Sequence, residues 1–288
     1  MRTSPIHVVS LIATAAVALA CTTDNDTERA EAIPDAKAVV TLTATDYVFE
    51  APDTIPAGWT TFRLMNHGAT QHMAQLVKLE EGRTLEEFRE AYFEAWRTVG
   101  PRPAWGVRSG GPGTTEPDES SNATMYLEPG SYGWYCAMNG EDGVPHIFGN
   151  GMARPFVVTA SGGETSRQAA PEPTVTITLA DYAFRMGALL TAGHHLIRVE
   201  NLGHEPHEAT LVKLATGKTL DDLQAWLRDF EGPPPVNIFG GVSALAADHE
   251  AYFEAELTPG DYVLLCFVTA PDGQPHTEHG MIEEIHVE

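Results

Sequence analysis

Two cysteines, Cys136 and Cys266, each open the same series of potential donor side chains. Cys136 is followed by Pro145-His146 and then Gly151-Met152, and Cys266 by Pro275-His276 and then Gly280-Met281. Upstream of each lies a second histidine behind an Asn-x-Gly turn: Asn66-x-Gly68-x-x-x-His72 and Asn201-x-Gly203-x-x-x-His207. Each half of the chain therefore offers one thiol, two imidazoles and one thioether. Equivalent cysteines in two separate domains are expected to lie beyond the Cα separation of about 7 Å that a disulfide tolerates. In an exported protein such a thiol is open to oxidation unless it is buried or bound to a metal.

The elements that must position these residues also occur twice. Asp46-Tyr47-Val48-Phe49 returns as Asp181-Tyr182-Ala183-Phe184, and Val77-Lys78-Leu79 as Val212-Lys213-Leu214, 135 positions later (46 to 181). Pro129-Gly130 and Asp142-Gly143-x-Pro145-His146 return 130 positions later, so the second copy lacks five residues in its middle. The repeat predicts domains at 38–159 and 174–288 joined by a Ser/Gly/Pro-rich linker at 160–173. Alternating apolar residues in Val40–Ala44, Thr61–Met65 and Thr124–Leu127 predict half-buried strands. Pro129-Gly130 and Pro259-Gly260 mark turns into the strands that end at the cysteines. One amphipathic helix interrupts each copy. Thr84-Leu-Glu-Glu87 is a capping box, with Leu85, Phe88, Tyr92 and Trp96 on one face; Leu220, Leu223, Leu227 and Phe230 mirror it in the second copy. The expected fold class is all-β: two tandem Greek-key β-sandwiches, each with one inserted amphipathic helix.

With these residues in view, the chain resembles the cupredoxins, the blue-copper β-sandwiches. Gly203-His204-Glu205-Pro206-His207 resembles the Gly-x-Pro-His of plastocyanin-like members, and Pro275-His276 followed by Met281 resembles their C-terminal ligand loop. The resemblance implies one type 1-like copper per domain, with His72, Cys136, His146 and Met152 as metal ligands in the first and His207, Cys266, His276 and Met281 in the second. A His₂Cys set with a weak axial Met is the blue-copper electron-transfer pattern. Nine residues separate Cys from His in each copy where plastocyanin-like proteins have two, a length that copper nitrite reductases also approach. The residue after the first ligand His is usually Asn, Ser or Thr, which ties the two ligand loops together. Here it is Met73 or Glu208, so the tie lacks its usual residue. His204 and His279 lie three residues from ligands and could add imidazoles to a Cu(II) or Zn site in the second domain. His67, His194, His195, His249 and His286 are expected at the surface.

The chain contains no His-x-His pair of the kind multicopper oxidases use. Tyr135 and Leu265 precede the cysteines in place of the bridging His of nitrite reductases. No Ser/His/Asp, paired-acid or phosphate-loop pattern stands out. These features predict a redox carrier and no enzyme. The other readings are a copper sequestration or delivery protein and a metal-free cupredoxin-like interaction module. Residues 1–21 read as a signal peptide ending at Ala18-Leu19-Ala20-Cys21, which resembles a bacterial lipobox with Cys21 acylated, and 22–37 as an acidic tether. The expected location is periplasmic or cell-surface, lipid-anchored to a bacterial membrane. A formal net charge of −23 over 288 residues excludes nucleic acid as a partner. It points to a basic redox partner such as a c-type cytochrome, or to solubility alone.

Overall fold

The computed structural model describes residues 38–160 and 169–288. Residues 1–37, with the signal, Cys21 and the whole tether, lie outside the described residues, as do 161–168 of the linker. The first half contains β1 (Ala38–Thr45), β2 (Val48–Glu50), β3 (Thr54–Pro56), β4 (Gly58–Asn66), β5 (Gln75–Leu79), α1 (Leu85–Thr98), β6 (Gly106–Arg108), β7 (Ser120–Leu127), β8 (Gly130–Tyr135), α2 (His146–Gly149) and β9 (Ala153–Thr159). The second contains β10 (Val175–Ala180), β11 (Ala183–Met186), β12 (Gly193–Asn201), β13 (His207–Leu214), α3 (Leu220–Asp229), β14 (Val236–Leu245), β15 (Glu250–Leu257), β16 (Gly260–Leu265) and β17 (Ile282–Val287), with a short 3-10 turn at His276–His279 before β17.

The predicted alternation is what builds the sandwiches. In β4, Trp59, Phe62 and Leu64 are buried and Arg63 between the last two is exposed, so one face of the strand enters the core. In the first half, β2, β1, β4 and β7 form one layer and β3, β9, β8, β5 and β6 the other. Leu42, Phe62, Leu64, Leu76 and Trp134 fill the space between them. The second half repeats this with β11, β10, β12 and β15 against β14, β13, β16 and β17, over Ile177, Ile197, Val199, Leu211 and Leu264. In both halves a parallel pairing of the first strand (β1 with β4, β10 with β12) sits in an otherwise antiparallel layer.

The halves meet edge to edge. β7 pairs with β15 at Thr124 and Tyr252, and Asn122 and Glu254 exchange side chain–backbone hydrogen bonds of 3.0 and 2.8 Å. One layer from each half thus joins into a single eight-stranded sheet. The segment 109–113 of the first half also bonds to β14: Gly110 N to Ala244 O at 3.0 Å, Ser243 N to Gly111 O at 2.9 Å. The described residues, 38–160 and 169–288, fall in one compact unit.

α1 starts at the predicted capping box, Thr84 with Glu87, and α3 at an equivalent one, Thr219 with Asp222. α1 buries Leu85, Phe88 and Tyr92, but Ala95 takes the fourth buried position and Trp96 is 39% exposed. In α3 only Leu223 is buried; Phe230 lies beyond the last turn as a left-handed cap and faces solvent. Among the described residues no helix is long and apolar enough to cross a membrane.

Candidate metal centres

Each first histidine is positioned by a buried asparagine. Asn66 donates from Nδ2 to the carbonyls of Thr70 (2.8 Å) and Thr115 (2.9 Å), while its Oδ1 accepts from Gly68 N (2.9 Å). Asn201 does the same with Glu205 O, Leu245 O and Gly203 N at 2.8, 2.9 and 2.9 Å. The glycine in each turn is required by close approach: a Cβ at Gly68 would stand 2.8 Å from His72 Nε2, and one at Gly203 would stand 2.9 Å from His207 Nε2 and 2.6 Å from Asp181 Oδ1. The imidazoles occupy the space a side chain would need.

Each cysteine lies just past a strand end, at the start of a nine-residue excursion that returns on itself. Asp142 Oδ1 accepts from Val144 N and Asp272 Oδ1 from Gln274 N, both at 3.0 Å, closing the tips at Gly143 and Gly273. Both glycines have positive φ. Below the tips, His146 N donates to Met138 O (2.8 Å) and Ile147 N to Cys136 O (3.0 Å); His276 N donates to Val268 O and Thr277 N to Cys266 O. Each loop closes where Cys136 N meets Met152 O and Met152 N meets His146 O, and likewise for Cys266, Met281 and His276. The long Cys-to-His spacing is thus a hairpin that brings His back to Cys.

The result is two buried clusters, His72/Cys136/His146 and His207/Cys266/His276. In the first, Cys136 Sγ is 3.8 Å from His72 Nδ1 and 3.5 Å from His146 Nδ1. In the second, Cys266 Sγ is 3.3 Å from His276 Nδ1, and the two Nδ1 atoms are 2.9 Å apart. Sulfur and nitrogen bonded to one ion at about 2.3 and 2.05 Å in a trigonal plane stand about 3.8 Å apart, and two such nitrogens about 3.6 Å. The first cluster lies within about 0.3 Å of that S–N value, and the second is contracted in both S–N and N–N distance. Met152 and Met281 are fully buried and enter the same loops. Both cysteines are free thiols.

Without an ion both sets are neutral. Burial pushes the Cys136 thiol up to about 12 and raises Cys266 further. Burial, then the neighbouring imidazole, lowers His72 and His276 to about 4; burial lowers His146 and His207 as well. His72 Nε2 is buried with no hydrogen-bond partner. Desolvated imidazole nitrogens and a thiol converging on one point are what a soft, thiophilic cation stabilises by converting thiol to thiolate. In each half two imidazoles and a thiol converge, with a buried methionine on the returning loop. The fold is cupredoxin-like.

The two halves differ in what surrounds the imidazoles. In the second, His207 Nε2 reaches Asp181 Oδ1 at 3.1 Å and His276 Nε2 reaches Glu205 Oε2 at 3.2 Å. Glu205 also accepts from Tyr182 OH at 3.0 Å. The first half has Thr70 where Glu205 stands, and Asp46 accepts only a long bond from Ala69 N, 3.4 Å. The sequence comparison found the Asp-Tyr-x-Phe repeat but not its place in the site. Tyr47 meets His146 edge-on at 4.8 Å between centroids and Tyr182 meets His276 at 5.1 Å. Their recurrence 135 positions apart, beside the histidines at the same offset, was the available signal.

Three expectations are corrected. The tie between ligand loops is present in the second half despite the unusual residue: Glu208 Oε1 accepts from Phe267 N at 2.8 Å, and Glu208 N donates to Cys266 Sγ at 3.4 Å. A buried carboxyl thus links the strand of the first histidine to the loop of the cysteine. His204 and His279 do not join the cluster. His204 is 93% exposed beside Asp181, and His279 turns to Asp272 at 3.1 Å. His195 is buried, its ring bonded to Thr174 Oγ1 and Thr191 O, because its position in β12 points inward.

No family model matches the chain, and no curated protein does. Among solved structures it is similar to auracyanin A of Chloroflexus aurantiacus, a "blue" copper protein, at 19% identity over 43% of this chain and 100% of that one, TM-score 0.31. It is also similar to a multicopper oxidase, at 12% identity over 88% of each chain, TM-score 0.25. The copper-containing nitrite reductase of Thermus scotoductus matches at 12% identity over 87% of this chain and 61% of that one, TM-score 0.24. The expectation that the chain is no enzyme is corrected by these matches, which include enzymes beside a blue copper protein. The missing His-x-His pairs bear on one kind of copper cluster and not on catalysis at large.

Proposed function

We propose that the chain is a copper-binding electron-transfer protein with one type 1-like copper in each half, held by His72, Cys136, His146 and Met152 and by His207, Cys266, His276 and Met281. The observation that carries this reading is the duplicated, buried, neutral His/Cys/His cluster. Copper bound there exchanges one electron between its two oxidation states. The protein's part is to keep the donors in place in both states. Each histidine is fixed by an Asn-x-Gly turn on one side or a closed hairpin on the other, and each cysteine is shielded from water. Imidazoles that stay neutral down to about pH 4 remain available as ligands across the physiological range.

Domains at 38–159 and 174–288, a signal at 1–21, acylation at Cys21 and an acidic 22–37 tether complete the proposal. The protein would then be exported and anchored to a bacterial membrane. Its partner is a redox protein, and the charge of −23 favours a basic one such as a c-type cytochrome. A second-order transfer rate that falls steeply with salt supports such steering, and a flat profile refutes it. Metal titration tests the sites themselves. The full chain binds two copper ions, and Cys136→Ser and Cys266→Ser each bind one. Two tightly bound ions retained in the double variant would refute the assignment.

A further inference from the structure

A cavity of about 630 Å³ lies between the two halves, outside both metal clusters but against each. Met73 and Met138, neighbours of His72 and Cys136, form part of its wall, and Glu208 and Phe267, neighbours of His207 and Cys266, form another part. Two guanidiniums also line it, those of Arg102 and Arg108. Among the described residues no carboxylate lies within ion-pair distance of either, although buried Glu208 interacts electrostatically with both. Arg102 stands over the ring of Tyr92 at 5.0 Å. Arg108 is held down to about 10, first by burial and then by the positive charge of Arg102, so two like charges share one enclosed space. Two carboxylates share the wall, each with a hydrogen bond of its own: Glu116 Oε1 accepts from Gln71 Nε2 at 2.7 Å, and Glu208 Oε1 from Phe267 N at 2.8 Å. The guanidiniums thus line the cavity with no carboxylate bonded directly to either, and their donors are open to an incoming carboxylate.

The remaining wall specifies what else that anion carries. Tyr92 and Tyr135 from one half and Trp226 from the other line it as well. The volume falls within the roughly 300–1,000 Å³ of ordinary small-molecule sites. A hydrated inorganic anion would leave those apolar walls wet. An aromatic ring system would cover them, while a carboxylate takes the planar donor fork of arginine. We propose that this cavity binds a small aromatic carboxylate of one or two rings, its carboxylate at Arg102 and Arg108 and its rings against Tyr92, Tyr135 and Trp226. No part of this depends on bound copper.

Calorimetric titration of the metal-free full chain with 1-naphthoate tests it, and because no metal is present the outcome is separate from that of the copper assignment. Saturable binding of one molecule per chain is expected. Arg108→Met should weaken it by about tenfold or more, the loss of a charge-assisted bond. Arg102→Gln, in the segment between α1 and β6, should weaken it in the same direction, and serves as the test if the Arg108 variant fails to fold. Neutral 1-naphthalenemethanol should bind at least about tenfold more weakly than the acid, as the same charge-assisted bonds are absent. Absence of saturable binding, equal affinity for the alcohol, or full affinity in the variants would overturn the proposal. Displacement of naphthoate by equimolar inorganic phosphate would overturn the aromatic specificity and with it the assigned ligand class.

Discussion

Replacing Asp181 by Asn removes one negative charge from the far side of the His207 ring while keeping the side chain's size. Asp181 Oδ1 is 3.1 Å from His207 Nε2. The two nitrogens of an imidazole are about 2.2 Å apart, and a metal on Nδ1 lies about 2 Å beyond, so charge and cation are separated by about 7 Å. At an effective dielectric of about 20, this separation gives about 2.4 kcal/mol. Asp181 is 38% exposed, and solvent screening reduces the effect to about 1.2 kcal/mol. On a one-electron couple that is about 50 mV. The carboxylate favours the more positive ion, so its removal raises the reduction potential. The measurement is a spectroelectrochemical titration of Asp181→Asn in a Cys136→Ser background, where only the second site carries a copper–thiolate signal. Asp46→Asn in the Cys266→Ser background should shift the first site less, because Asp46 makes no hydrogen bond to His72 and acts on it through space alone. A fall in potential at the second site, or equal shifts at both, would refute the reasoning.

Other consequences follow from single contacts. Gly203→Ala places a methyl 2.9 Å from His207 Nε2 and 2.6 Å from Asp181 Oδ1, and should abolish copper binding at the second site while equilibrium dialysis still finds one ion per chain. Glu208→Ala frees the Phe267 amide and should lower unfolding stability by about 1–3 kcal/mol in denaturant titrations, with Glu208→Gln losing much less because its amide oxygen still accepts. His72 and His276 have folded-state values near 4 against 6.5 for an unperturbed imidazole, so the stability they contribute is present above pH 6.5 and is lost as pH falls toward 4. The metal-free protein should therefore lose up to about 1.4 kcal/mol per pH unit for each of them across that window in denaturation series, and His72→Gln should flatten the slope.

The strands and both clusters were legible because they depend on local signals that occur twice. Alternation placed β4 and β7, the Pro-Gly turns placed β8 and β16, the repeated Cys and Pro-His spacing placed four of the six clustered donors, and the Asn-x-Gly turns placed the other two, His72 and His207. What was not legible depends on tertiary contact. The edge pairing of β7 with β15 rests on a side-chain exchange between Asn122 and Glu254 that no periodicity records. Trp96 continues the helical stripe in sequence but lies just outside the contact arc, where Ala95 packs instead. His195 has the composition of a surface residue but the inward phase of β12. Glu208 departs from the usual residue type and still reaches Phe267 N, because length and burial, not identity, decide whether the bond forms. His204 and His279 are near the site in sequence, but each is drawn outward to an aspartate, Asp181 or Asp272.

The central claim is that each half carries a copper–thiolate centre. It is tested most directly by the visible absorption of the purified full chain loaded with Cu(II), measured beside Cys136→Ser, Cys266→Ser and the double variant. A copper–thiolate bond absorbs strongly in the visible, whereas copper bound by nitrogen and oxygen alone is pale. The account predicts an intense band in the parent protein, about half of it in each single variant if the two thiolates contribute alike, and none in the double variant. A pale parent protein, or a spectrum unchanged by removal of either cysteine, would contradict it.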